Sequence, residues 1–124
     1  GHMKIPKPTD ADKDRFRALF AGRDAVEVKP MFGNLAAFVQ SNGQMCSGLF
    51  GPLVGVRLSD TERAELLAVE GSGPFGPEER PMKEYVSLPA AWAADSPELT
   101  GWIDRAIAHT STLPAKKKKA KKKK

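Results

Sequence analysis

The chain has 124 residues, 40% of them hydrophobic, which suits one hydrophobic core and one domain. No segment approaches the roughly 20 apolar residues of a membrane helix, the start lacks the apolar run of a signal peptide, and one cysteine excludes an internal disulfide. We therefore expect a cytoplasmic protein without membrane attachment. The 20 basic residues outnumber the 15 acidic ones, so a polyanionic partner is a candidate.

The first predicted element is a helix over about 10–21. Thr9 or Asp10 can cap its N-terminus, and Gly22 supplies a stop. Three large apolar side chains recur at helical spacing on one face: Phe16, Leu19 and Phe20.

Short strands follow, and tight turns separate them. The predicted strands are 26–29, 35–40, 45–50 and 53–58. Asn42-Gly43 is typical of a two-residue hairpin turn, because both residues tolerate positive φ. Three glycines inside or beside these strands indicate bulges or close backbone approach: Gly33, Gly48 and Gly55.

A second helix is predicted over 60–70, because Ser59 and Glu62 can form a capping box. Its inward side chains are expected to be Ala64 and Leu67, with Leu66 and Val69 as further candidates. The segment 71–77 is rich in Gly and Pro and should be a loop, neither helix nor strand, pinned by Phe75.

The last strand is expected over 82–88, and a third helix starts after Ser96, with Pro97 in its first turn. An apolar stripe follows: Leu99, Trp102, Ile103, Ala106 and Ile107. The element order is α-β-β-β-(β)-α-β-α. This order predicts a two-layer α+β fold, in which helices pack on an antiparallel sheet of about four to five strands.

Few residues suggest catalysis. Cys46 lies in a strand of apolar and small residues, where an inert buried thiol or a weakly reactive one is expected. His109 falls in the last turn of the third helix, where it suits the helix C-terminus better than a general base. The sequence shows no metal-ligand spacing and no phosphate-binding glycine motif. We therefore assign no catalytic residue, no metal and no cofactor.

Two segments allow two interpretations each. Met31, Phe32 and Gly33 form either core plus a bulge or the rim of a small groove between sheet and loop. Lys83 and Tyr85 would share one face of a strand. They form either a mixed face at a sheet edge, where the lysine reaches water, or a recognition patch with Arg80.

The C-terminus is a cationic tail. Its eight lysines are Lys116, Lys117, Lys118, Lys119, Lys121, Lys122, Lys123 and Lys124. Without these eight charges the remaining 12 basic and 15 acidic residues carry −3. We expect three parts: a tag remnant and flexible N-terminus over 1–9, a folded domain over 10–114, and a disordered tail over 115–124. The tail either binds DNA or RNA without sequence preference or only solubilises the protein.

Several short motifs, taken in order, resemble the N-terminal domain of the TfoX/Sxy family. They are Met31-Phe32-Gly33, Gly73-Pro74-Phe75, the run from Arg80 to Val86, Leu88-Pro89, and Leu99-x-x-Trp102-x-x-x-Ala106. The resemblance covers about 26–113. It implies an α+β domain with a curved sheet, no cofactor and no established enzymatic activity. The family is named for bacterial regulators of DNA-uptake competence, whose second, helical domain is replaced here by lysines, so a standalone N-terminal domain is expected.

These observations lead to alternative functions. The first is a non-enzymatic regulatory module that binds a protein partner, such as a transcriptional regulator, while the tail holds nucleic acid. Its partner surface would use Met31, Phe32, Gly33, Arg80, Lys83 and Tyr85. The second is a small ligand-binding domain or enzyme that uses a pocket near Phe75 and Tyr85. The third is a homodimer formed through an exposed sheet edge, which is compatible with the first.

Overall fold

The computed structural model describes residues 6–93 and 95–116, and it confirms an α+β fold. In these ranges the elements are α1 (Asp10–Phe20), β1 (Val26–Met31), β2 (Asn34–Val39), β3 (Met45–Phe50), β4 (Leu53–Arg57), α2 (Asp60–Leu67), β5 (Gly73–Pro74), β6 (Tyr85–Ser87) and α3 (Pro97–Ser111). The described strands form one antiparallel sheet of six, in the order β1-β2-β3-β4-β6-β5. The sheet therefore has more strands than the four to five expected.

A hydroxyl side chain caps each helix. Thr9 and Ser59 start α1 and α2 with complete capping boxes, in which the carboxylates of Asp12 and Glu62 accept hydrogen bonds from the backbone amides of the cap residues. Ser96 accepts a hydrogen bond from the α3 backbone in the same way. Because these local signals lie in the sequence itself, the three helix starts are where the sequence predicted them.

The hydrophobic core lies between the helices and one face of the sheet. Phe16 of α1, Leu66 of α2 and Ile103 of α3 are each fully buried in it. The strands contribute alternate side chains, for example Leu35, Ala37 and Val39 of β2. No helix in the described ranges is both long and apolar enough to cross a membrane.

The inward face of α2 was predicted only in part, because the further candidates Leu66 and Val69 contact the core and the two main ones do not. Leu66 is its buried residue, whereas Ala64 is exposed and Leu67 is 51% exposed. The helix ends at Leu67 rather than near residue 70, so it has only about two turns. A one-residue error in phase moves a side chain by about 100° around a helix, which is enough to exchange its buried and exposed faces.

The far edge of the sheet also differs from the prediction. The expected strand 82–88 is paired only over Tyr85–Ser87, and the expected loop 71–77 contains β5, the two-residue strand Gly73–Pro74. Lys83 thus lies in a turn rather than on a strand, and the argument that it shares a strand face with Tyr85 does not apply.

The tight two-residue turn lies in a different hairpin from the one predicted. The β2–β3 connection runs over 40–44 instead of a two-residue Asn42-Gly43 turn. The tight turn is Phe32-Gly33 between β1 and β2, where φ is 51° and 80°. Positive φ at both central residues matches the type I′ turn, whose twist suits a hairpin. Asn and Gly are its usual residues, so phenylalanine is an unfavourable occupant.

A bulge lies in β3. Ala37 pairs with Ser47, but Phe38 pairs with Met45, so Cys46 is the extra residue. The three glycines that suggested bulges have other roles. Gly33 completes the turn, and the two strand glycines Gly48 and Gly55 allow the close approach of the Phe75 ring.

Candidate functional site: an apolar groove on the outer sheet face

The sheet has a second face, opposite the helices, which we call the outer face. Neighbouring strands place small residues side by side across it, paired as Ala36 with Gly48, Gly48 with Gly55, Gly55 with Ser87, and Ser87 with Gly73. Because none of these side chains is large, the outer face has a shallow channel across five strands.

Phe75 fills part of that channel. The chain turns back after β5, and the ring of Phe75 lies on Gly55 with 2% of the residue exposed. A Cβ atom on Gly55 would lie no farther than 2.5 Å from three ring atoms, so only glycine permits this contact. The rings of Phe50 and Tyr85 flank Phe75 with centroid distances of 6.0 Å. Phe75 thus pins the loop as the sequence predicted.

An open groove of about 260 Å³ remains beside Phe75. Ala36 and Gly48 form part of its lining, since they leave the sheet surface low. Its walls are large and almost wholly apolar, and we call the site they form the Phe75 groove: Met31, Phe32, Met45, Phe50, Phe75 and Met82. Three of the four methionines of the chain line it. Methionine adapts to varied partner shapes, so this lining suits an apolar ligand or peptide.

Phe32 is the most unusual residue of the groove. It is 81% exposed and has a φ of 51°. Left-handed backbone costs a residue with a side chain about 1–2 kcal/mol, and the exposed ring gains little from burial. Of the two interpretations of Met31, Phe32 and Gly33, the geometry matches the groove rim, because Phe32 is outside the core and Met31 is half-buried at the groove.

The other proposed surface residues lie in the connection between β5 and β6 and at the start of β6. Lys83 and Tyr85 line a second hollow of about 200 Å³, together with Leu67 and Met82. Arg80 is exposed in the loop between Phe75 and Met82. The structure therefore divides the predicted surface in two: Met31 and Phe32 border the groove, and Lys83 and Tyr85 border the hollow.

Tyr85 is held in place by its polar end. Its hydroxyl donates a hydrogen bond of 3.1 Å to the Met45 carbonyl, and the Arg57 guanidinium lies 5.8 Å from its ring centroid. Arg57 in turn pairs with Glu84 at 2.8 Å. Burial raises the pKa of Tyr85 to about 12, so its hydroxyl stays protonated and acts as a donor. The fixed tyrosine ring thus packs beside Phe75, which is a wall of the groove.

Cys46 is away from this site. It is fully buried in the helix-side core, and burial raises its thiol pKa to about 12. A protonated, enclosed thiol is a poor nucleophile, which agrees with the inert interpretation. His109 lies in the last turn of α3, as predicted. Within residues 6–93 and 95–116, no three acidic, histidine or cysteine side chains are placed to share a metal ion.

The start of the cationic tail is attached to the β2–β3 loop. The Lys116 amide donates to the Asn42 carbonyl at 2.8 Å, and the Asn42 side-chain amide donates to the carbonyls of Thr110 and Leu113. Gln44 donates to the Pro114 carbonyl at 2.8 Å. The sequence did not predict these hydrogen bonds, because Asn42 was assigned to a tight turn. The seven later lysines, and with them most of the predicted disordered tail, lie outside the described residues.

The fold and the groove define a small α+β domain that covers one sheet face with helices and keeps an apolar groove on the other. The chain belongs to the TfoX N-terminal domain family, whose model matches residues 18–110. The family is not known as an enzyme family. Comparison with curated proteins and with solved structures finds no match.

Proposed function

We propose that this chain is a non-enzymatic regulatory module that binds a protein partner through the Phe75 groove. The observation that carries the proposal is Phe32, an exposed aromatic ring in a strained turn at the rim of an apolar groove. A strained, exposed residue weakens the folded state, so its presence suggests a role in function. Aromatic side chains are also frequent anchors in protein interfaces.

The second part of the proposal is that the tail supplies non-specific affinity for DNA or RNA. The eight C-terminal lysines carry +8, whereas the rest of the chain has a net charge of −3, so the positive charge is concentrated at one end. If all eight contact duplex phosphates, the logarithm of the binding constant falls with the logarithm of salt with a slope near −7 (about −0.9 per contact). Such contacts localise the module without reading a base sequence.

A salt series tests the tail. Duplex binding is measured for the full chain and for a chain ending at Ala115, between 50 and 200 mM salt. We expect the full chain to lose roughly 10³–10⁵ in affinity over this range and the shortened chain to bind far more weakly with a shallow slope. Equal affinities and slopes for the two chains would refute the role of the tail.

A matched pair of variants tests the groove. Phe32→Asn gives the turn a residue that accepts positive φ and removes the ring, while Leu67→Asn removes the other exposed large apolar side chain of the described residues. Proteins retained from a cell extract by the immobilised chain should be lost with Phe32→Asn and kept with Leu67→Asn. Retention that is equal for both variants would rule out Phe32 as the anchor.

A ligand-binding domain remains a second candidate, because the groove beside Phe75 has the size and lining of a small apolar ligand site. The structure favours an enzyme that uses Cys46 or Tyr85 less strongly. The thiol is buried in the core, and the hydroxyl donates a hydrogen bond to the Met45 carbonyl. Saturable binding of small apolar compounds, abolished by filling the groove with Ala36→Phe, would favour this candidate. A chain that binds none of a varied set of apolar compounds would eliminate it.

A further inference from the structure

We infer that the Phe75 groove holds the exposed Phe32 ring of a second copy of this chain, so that two copies exchange these rings in a symmetric dimer. The dimer concerns the chain by itself and does not rest on the protein partner proposed above. Three features of the outer face support it: the position of Phe32, the size and lining of the groove, and the balance of charges around it.

The ring of Phe32 borders the groove of its own chain but does not fill it. It is 81% exposed, and its backbone is left-handed with a φ of 51°. Met31 pairs with Asn34 on the two sides of the turn, so the hairpin fixes the place from which the ring projects. The described part of the chain therefore leaves the ring uncovered, whereas a second molecule can cover it.

The groove has room for such a ring. Its volume of about 260 Å³ exceeds the roughly 150 Å³ of an engineered cavity that holds benzene in another protein. Met45, Phe50 and Met82 line it, and both thioethers and aromatic edges make favourable contacts with a phenyl ring. None of the described residues that line it is charged, so an entering ring buries no unpaired charge.

Ring and groove lie side by side on one face, and a twofold axis can pair such a face with itself. When the ring of one copy enters the groove of the other, the same rotation places the second ring in the first groove. Both contacts then form in one encounter. A different protein would have to supply both an apolar anchor for the groove and a site for Phe32.

The charges beside the groove allow two identical faces to meet. On β1, Glu27 and Lys29 form an ion pair at 4.0 Å. Next to the Arg57–Glu84 pair, the connection between β5 and β6 exposes two acidic and two basic side chains: Glu78, Glu79, Arg80 and Lys83. Each set sums to zero, so two copies of this face do not repel each other strongly, and opposite charges can pair across the axis.

The area of the contact predicts a weak, reversible dimer. A buried phenylalanine covers about 150–250 Å², so two rings that are now exposed and the linings they would meet bury on the order of 500–800 Å² in total. Stable complexes bury roughly 1,200 Å² or more. We therefore expect dimers at high protein concentration and an accessible groove at low concentration.

Methionine methyl NMR on a dilution series tests for the dimer. Met31, Met45 and Met82 all line the groove, so their methyl signals report its occupation. Because each chain carries +5, the series is measured between about 1 mM and about 0.02 mM protein in about 0.15 M salt, which screens this charge. We expect the three signals to move with concentration and the sedimentation mass to rise towards two chains. Signals and mass that stay constant would overturn the inference.

Two variants that fail separately test the exchange of rings. Phe32→Asn removes the ring and keeps the groove, whereas Ala36→Phe keeps the ring and fills the groove. Each variant alone loses both contacts, which should weaken its dimer by about 100-fold or more. A mixture of the two restores one contact, so it should associate roughly tenfold or more tightly than either variant alone.

The mixture is measured with labelled Phe32→Asn chains. Their groove signals should shift when unlabelled Ala36→Phe chains are added and stay in place when unlabelled Phe32→Asn chains are added. An equal response to both additions would overturn the exchange. If Ala36→Phe loses the spectrum of a folded domain, Met82→Gln replaces it, since it makes the lining polar without adding volume.

The matched control is Leu67→Asn, which removes the other exposed large apolar side chain of the described residues and should leave the dilution shifts unchanged. A dimer that persists in Phe32→Asn, for example through the sheet edge, would contradict the inference. So would a loss of the dimer in Leu67→Asn that equals the loss in Phe32→Asn.

The outcome is separable from that of the proposed function. If the chain stays monomeric while retention of partners still depends on Phe32, the dimer fails and the partner site stands. If the dimer depends on Phe32 but no retained protein does, the groove serves self-association and the partner site fails. If both hold, the two compete, and retention of partners should fall as free chain is added.

Discussion

Replacement of Gly55 by alanine should destabilise the protein, although alanine normally stabilises a strand relative to glycine. The φ of Gly55 lies outside the left-handed region, so the backbone itself accepts a side chain. The obstacle is the ring of Phe75, three of whose atoms lie no farther than 2.5 Å from the position of the new Cβ. Ordinary contacts of this kind are 3.4–4 Å, so the ring must retreat by about 1 Å.

The magnitude follows from two opposing terms. Overpacking a filled site costs about 1–3 kcal/mol, and alanine in place of glycine returns about 0.5–1 kcal/mol of backbone entropy. We expect a net loss of about 1–2 kcal/mol in the free energy of unfolding, which shifts a urea midpoint by roughly 0.5–1 M. The same displacement of Phe75 should open the groove wall and change the methyl signal of Met82.

Two comparisons decide whether the ring is the cause. Gly101→Ala is the matched control, because it makes the same substitution on α3 with nothing within 4 Å of the new atom, and it should stabilise by about 1 kcal/mol. In a Phe75→Ala background, Gly55→Ala should lose its cost and become neutral or mildly stabilising. The reasoning is refuted if the cost is the same with and without the ring.

Three further predictions concern the rest of the structure. Thr110→Val should raise the free energy of unfolding by about 1 kcal/mol, because the Thr110 hydroxyl is buried without a hydrogen-bond partner in the described structure; a loss of stability in urea titration would contradict this. Asn42→Ala should cost about 1–2 kcal/mol, since it removes the side-chain amide that donates to the carbonyls of Thr110, in the last turn of α3, and Leu113, just after the helix, and Asn42→Asp should cost at least as much because it removes the same donors. Stability should fall as pH rises from about 9 to 12, because folding raises the pKa of Cys46 from 9.0 and of Tyr85 from 10.0 to about 12, so above pH 9 the unfolded state holds fewer protons; a profile flat to pH 11 would oppose this.

Local signals in the sequence predicted the helices well. A hydroxyl residue followed three positions later by an acid marks a helix start through contacts within one turn, and Ser59 with Glu62 is such a case. The errors arose where contacts with a distant part of the chain determine which side chain is buried. Leu66 and Leu67 are adjacent and equally apolar, so only the position of the sheet under α2 determines which one is buried.

The candidate site was harder to predict for the same reason. Its floor depends on Gly48 pairing with Ala36 and Gly55, and that register is invisible until the strands are aligned. Phe75 could be recognised as an anchor because it is the one aromatic residue among glycines and prolines. The exposure of Phe32 followed from only one of the two interpretations of Met31-Phe32-Gly33, since apolar residues beside a strand are usually buried and the tight turn was assigned to Asn42-Gly43.

Phe32 and Leu67 show why exposure alone does not mark a binding site. Leu67 borders the second hollow, but it lies at the end of a short helix with ordinary backbone geometry, so its exposure involves no backbone strain. Phe32 combines exposure with left-handed backbone and an adjoining groove. Burial of its ring would contribute about 1.5–3 kcal/mol of favourable free energy, which the isolated fold does not gain. A partner that covers the ring would gain this free energy on binding. A partner that fills the groove but leaves Phe32 uncovered would therefore bind weakly, and a partner that covers both would bind more tightly.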